Sequence, residues 1–207
     1  MIRRMPPEER RAELVAAAVR VIARGGVARA TTRAIVAEAG MPLGAFHYIF
    51  GSHDELMRAV IETVTEYERF AIEAGSVDAT SLEAALRGGF DVYIDLLAAE
   101  PERELALLEL GLFARRQDPD GQMRRQWETY HEMAAHLLAY AARLTGTRWT
   151  APLPDLARIL TTFVDGITVG WLADQDTAAA RRTAAFAATA LAAHAQPLAS
   201  TENRLAH

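Results

Sequence analysis

The stretch TTRAIVAEAGMPLGAFHYIF, residues 31–50, decides how the rest of the chain is read. Thr31 is the residue type whose hydroxyl accepts from the free amides of a helix start, which predicts a short helix through Glu38. Gly40 ends it at a tight turn where a side chain would clash. Pro42 then opens a second short helix to about Ile49. Ile35 and Ala39 face inward from the first helix, and Phe46 and Ile49 anchor the second. This is the grammar of a helix-turn-helix. A second helix of barely two turns projects by about a helix width and fits a DNA major groove about 12 Å wide. The first lies across the sugar-phosphate backbone, where Thr32 and Arg33 would touch phosphates. A helix–Gly–helix spacing is weak by itself, because in all-helical proteins it is mostly packing; its surroundings strengthen it.

Residues 1–60 hold nine arginines against six acids, while the remainder holds 13 arginines against 21 acids, for a net charge of −5. A basic N-terminal quarter on an acidic body suggests an anionic partner for that quarter alone. The 207 residues contain neither cysteine nor lysine. Disulfide scaffolds, Cys-ligated zinc, thiol nucleophiles, a phosphate-loop lysine and Schiff-base chemistry are therefore excluded. His131 and His136 lie on different faces of one helix and make no metal pair, and no His-Glu-x-x-His element occurs. Ser76, Ser81 and Ser200 lack a nucleophile-elbow setting. Neither catalysis nor a metal or cofactor is expected. No targeting or membrane segment is visible. The N-terminus runs into charge, and residues 184–193 are mostly alanine and too short to span a bilayer, so a cytoplasmic location is expected.

Apolar positions recur at three- and four-residue spacing throughout, with no sustained period-two run. The expected fold is all-α, with about nine helices: four short to medium, then five longer. The first should run from Pro7 to Gly25-Gly26, burying Leu14, Ala18, Val21 and Ile22. Ser52-His53-Asp54-Glu55 and Thr80-Ser81-Leu82-Glu83 are capping boxes that open two more. The helix from His53 should bury Leu56, Val60, Val64, Tyr67 and Ala71. Pro101 starts the next, Asp118-Pro119-Asp120 the long one after it, and two more follow a loop at 145–154. The tail from Pro197 should fray. The division expected is a DNA-binding domain at 1–55 and a second domain at 56–207.

Residues 11–60 resemble the DNA-binding domain of the tetracycline-repressor (TetR) family of transcriptional regulators. The matching residues are Thr31-Thr32-Arg33-Ala34-Ile35, Ala39-Gly40, Gly44-Ala45-Phe46-His47-Tyr48-Ile49-Phe50 and Ser52-His53-Asp54-Glu55-Leu56. The resemblance implies DNA contacts from Thr32, Arg33, Pro42, Leu43, Gly44, His47, Tyr48 and His53. Leu43 would meet a thymine methyl. Departures from the family pattern are Val36 for a small alanine, Leu43 for a lysine or polar residue, His53 for a lysine, and His47-Tyr48 in reversed order. Tyr48 has a second reading as a core aromatic. His53 reads as solvated or phosphate-facing, with binding strengthened by protonation near pH 6 and below.

The resemblance also implies a helical second domain that binds a small-molecule effector and forms a homodimer through the last two long helices, where small residues (Gly166, Gly170, Ala178–Ala180, Ala184, Ala185, Ala187, Ala188) allow close approach. The residues expected around an apolar effector pocket are Tyr93, Glu109, Phe113, Trp127, Tyr130 and Phe163. Glu109 and Asp165 sit inside apolar runs, where each would recognise a cationic or hydroxylated effector or pair with Arg143 or Arg158. The function so implied is a repressor that binds a palindromic operator on double-stranded DNA as a dimer and is released by an effector. The alternative is a helical protein-interaction module that kept the fold and lost DNA binding.

Overall fold

The computed structural model describes residues 5–76, 78–117 and 121–198. Among them are nine α-helices: α1 Pro7–Gly25, α2 Thr32–Glu38, α3 Leu43–Ile49, α4 His53–Ser76, α5 Leu82–Ala99, α6 Pro101–Gln117, α7 Gln122–Leu144, α8 Leu153–Asp174 and α9 Thr177–Ala192. A single 3-10 turn, Val27–Arg29, joins α1 to α2. The all-α expectation holds, and the helix starts follow the local chemistry. Thr31 Oγ1 accepts from Ala34 N at 3.2 Å and Ser52 Oγ from Glu55 N at 3.1 Å; at α5 the cap falls one residue after the expected Thr80, Ser81 Oγ accepting from Ala84 N at 3.1 Å. The box at Ser52 closes one residue early, with the Glu55 carboxylate accepting from Gly51 N at 2.8 Å. Residues 118–120, expected to open α7, lie outside the described residues.

The chain forms two compact units. The first comprises α1 to α3, α4 as far as Glu68, and residues 97–129. Its core is Leu14, Ala17, Ala18 and Ile22 of α1, Ile35 and Val36 of α2, Phe46 and Phe50 at α3, and Leu56, Met57, Val60 and Ile61 of α4. On α4 the expected inward residue Tyr67 is exposed, and its neighbour Glu68 is buried. Glu68 lies 3.6 Å from Arg103, which also pairs with Glu104 at 3.1 Å. A buried cluster of Glu68, Arg103 and Glu104 thus stands where apolar spacing alone predicts an aromatic.

The second unit comprises residues 69–96 and 130–207. There α8 packs on α9; Leu156, Leu160, Ile167 and Trp171 of the one and Ala180, Ala184, Ala187, Ala188 and Leu191 of the other are buried. Gln175, at φ 56°, turns the chain, and Asp176 caps α9 through Ala179 N at 2.8 Å. The loop expected at 145–154 contains a short strand, and the tail expected to fray from Pro197 is paired at Pro197 and Leu198, the rest of it lying outside the described residues. β1, Thr147–Trp149, pairs antiparallel with β2, Ala195–Pro197, and Leu198 N donates to Gly146 O at 2.8 Å. Three-residue strands are too short to leave an alternating pattern. Trp149 secures the ribbon by donating from Nε1 to Leu138 O at 3.0 Å.

Candidate nucleic-acid interface

Two short helices can hold one another only if nearly every inward side chain is apolar and large. Here Ile35 and Val36 from α2 meet Phe46 and Phe50, which are 2% and 0% exposed and lie ring to ring at 5.8 Å. Gly40 takes φ 64°, left-handed backbone that favours glycine, and Met41 N then donates to Val36 O at 2.8 Å to close the turn. With Phe46 inward and Ala45 and Ile49 half-buried, the remaining face of α3 is open to water. Tyr48 is 71% exposed and Leu43 40%, and Pro42, Gly44 and His47 are exposed too. Tyr48 is therefore not a core aromatic. A Cβ added at Gly44 would meet nothing within 4 Å. Arg33 is exposed on α2 and Thr32 is half-buried.

The arginines of this quarter do not all contribute free charge. Arg20 pairs with Glu13 at 2.7 Å and with Glu38 at 2.9 Å, and Arg24 also pairs with Glu38. The guanidiniums of Arg24 and Arg20 hold the Glu38 carboxyl below its usual range. These pairs fix α2 on α1. Arg11 lies 4.7 Å over the Phe50 ring, a cation–π contact that no spacing rule singles out. His53 also departs from expectation in its surroundings: its Nε2 lies 2.6 Å from Ala30 O.

The six residues expected around an effector divide between the two units. Tyr93, Tyr130 and Phe163 belong to the second. Tyr93 is buried, and its hydroxyl lies 2.5 Å from Thr168 Oγ1. Glu109, Phe113 and Trp127 belong to the first. Glu109 accepts from Val27 N at 3.2 Å, and Phe113 is 40% exposed. The Trp127 ring sits where a Cβ at Gly111 would come within 2.9 Å of it, so glycine allows the indole to lie against α6. Among the described residues no group of three or more His, Asp or Glu could hold a metal ion. A Glu-x-x-His spacing occurs at Glu128–His131, without the second copy that a di-iron site needs.

A buried aromatic hinge under an exposed two-turn helix, on the basic end of an all-α chain, defines a helix-turn-helix DNA-binding regulator. Residues 14–60 match the family model "Bacterial regulatory proteins, tetR family". The chain thus carries a DNA-binding domain of the TetR type. It is 29% identical over 172 residues to the HTH-type nicotine-responsive transcriptional repressor HdnoR of Paenarthrobacter nicotinovorans, covering 83% of this chain and 88% of that protein. Among solved structures, it resembles a TetR transcription regulator from Haloarcula marismortui with a TM-score of 0.66 at 24% identity, over 89% of this chain and 98% of the other. It also resembles the multidrug binding protein EbrR, complexed with imidazole, with a TM-score of 0.64 at 26% identity, over 94% and 98% of the two chains.

Proposed function

We propose that this regulator is a dimeric repressor that binds a palindromic operator and is released by a small organic effector. The observation that most supports DNA contact is the outward face of α3: Leu43 and Tyr48 stand exposed on a helix whose Phe46 is buried. A large aromatic left 71% exposed costs solvation unless a partner covers it. In this reading Leu43, Gly44, His47 and Tyr48 enter the major groove, with Pro42 at its edge. Thr32 and Arg33 hold phosphates. His53 belongs to the contact set by resemblance, although its ring is engaged with Ala30 O. DNA contact falls to residues 1–55, and effector binding and self-association to 56–207.

Self-association is assigned to α8 and α9. Ile159, Val169 and Phe186 are 43%, 55% and 68% exposed, and a Cβ at Gly166 or Gly170 would meet nothing within 4 Å. Ala180, Ala184, Ala187 and Ala188 are buried within the chain, so the outward surface is narrower than the alanine count suggests. α8 is also long and apolar enough to cross a membrane by length and composition. The exposed share of that apolar surface is accounted for by a second copy. A two-fold dimer would set two recognition helices about 34 Å apart, one turn of DNA.

The effector is assigned to the helical part of the chain around Tyr93, Tyr130 and Phe163, with Glu109, Phe113 and Trp127 as the further candidates. The nicotine response of the HdnoR repressor makes nicotine the first probe. The test is in vitro selection of a duplex from a random pool, then fluorescence anisotropy with wild type and Tyr48→Ala. Salt-sensitive binding that is lost in the variant is expected. Failure to enrich any duplex would favour the protein-interaction module and overturn this reading.

A further inference from the structure

The 3-10 turn between α1 and α2 is gripped from both ends by side chains from elsewhere in the first unit. At its start, the Glu109 carboxylate of α6 accepts from Val27 N at 3.2 Å. At its end, Nε2 of His53, the first residue of α4, lies 2.6 Å from Ala30 O, so that nitrogen carries the proton and donates. The backbone between them is tightly set. Gly26 takes φ 77°, and a Cβ there would lie 3.0 Å from Glu109 Oε2, so glycine provides both the left-handed turn and the space for the carboxylate. Ala30 is 2% exposed, its N donating to Val27 O at 3.0 Å. Thr31, the cap of α2, follows at once.

A 3-10 turn leaves its first amide and last carbonyl without partners inside the turn. Glu109 takes the turn's first amide, that of Val27, and His53 takes the carbonyl of Ala30, the residue that caps the turn after Arg29. Loss of either bond would leave a part-buried backbone group unsatisfied two to five residues before α2. We propose that Glu109 and His53 are positioning residues for DNA recognition, a two-sided clamp that fixes the angle at which α2 and α3 leave α1. This assigns Glu109 a role other than effector contact, and His53 a role other than phosphate contact. It rests on the DNA-binding reading above.

The experiment compares Glu109→Ala, Glu109→Gln, His53→Ala and His53→Gln by thermal melting, by NMR amide exchange at Val27, and by affinity for a duplex selected by the wild-type protein. Gln keeps an acceptor at 109 and a donor at 53. Both alanine variants should weaken binding about 3–10-fold, as one lost hydrogen bond would, and the glutamine variants should restore it. Val27 exchange should accelerate in Glu109→Ala and not in Glu109→Gln. The slope of log affinity against log salt should not change, because no phosphate contact is removed. Unchanged Val27 exchange in Glu109→Ala, or a shallower salt slope in His53→Ala, would overturn the clamp. If no duplex is selected, the regulator reading fails, while Val27 exchange still decides whether the grip exists.

Discussion

Phe46 and Tyr48 stand two residues apart on α3, one 2% and the other 71% exposed, and their removal should fail in different ways. Phe46→Ala empties the hinge between α2 and α3 and is expected to cost about 3–5 kcal/mol. Tyr48→Ala removes no buried contact and should leave stability within about 0.5 kcal/mol while operator binding is lost. Melting temperature beside anisotropy separates the two. Glu68 makes a different prediction. Burial, then the charge of Glu104 and a hydrogen bond to it, push the Glu68 carboxyl well above its ordinary range, with Arg103 only partly opposing. A carboxyl whose folded value is raised favours the protonated native state, so stability falls as pH climbs from the ordinary carboxylate range through the raised value. Glu68→Gln should therefore raise the melting temperature more at pH 8 than at pH 5, read by calorimetry; an equal shift at both would contradict it. This residue was also the least legible from sequence. Apolar spacing placed Tyr67 inward, and nothing local to α4 announces that Arg103, from a distant helix, turns Glu68 in instead.

At the level of elements, the helices were legible because their ends are written in short-range chemistry. Thr31, Ser52 and Ser81 each bond the amide that a capping residue should. Thr31→Ala should cost about 1 kcal/mol, measured by urea unfolding, and loosen α2 more than α1. What short-range chemistry cannot write is a bond between remote positions. The β1–β2 ribbon joins residues separated by α8 and α9, and the two grips on the 3-10 turn come from α4 and α6. His53 illustrates the limit. Its position at a helix start suggests a free ring, and only the fold brings Ala30 O to it. The short helix α3 was legible for the opposite reason, since one buried residue, Phe46, is flanked by exposed ones within seven positions.

For the molecule as a whole, the proposed function gives the basic N-terminal quarter the surface that meets DNA and leaves the acidic body the one that repels it. Two copies are needed to read a symmetric site. Phe186→Glu places a charge on the exposed face of α9 and should give monomers by sedimentation, with operator affinity falling and the melt of the N-terminal unit unchanged. A variant that stays dimeric would move the interface elsewhere. The β1–β2 ribbon has a practical consequence. Arg148 and Gln196 stand directly opposite one another in a chain with no cysteine. Arg148→Cys combined with Gln196→Cys would place the protein's only two thiols side by side. Oxidation would lock the α8–α9 hairpin into a covalent ring, a constraint of up to about 4 kcal/mol, and a reductant would release it. Self-association could then be studied with the hairpin latched or unlatched in one sample, leaving the DNA-reading helices chemically untouched.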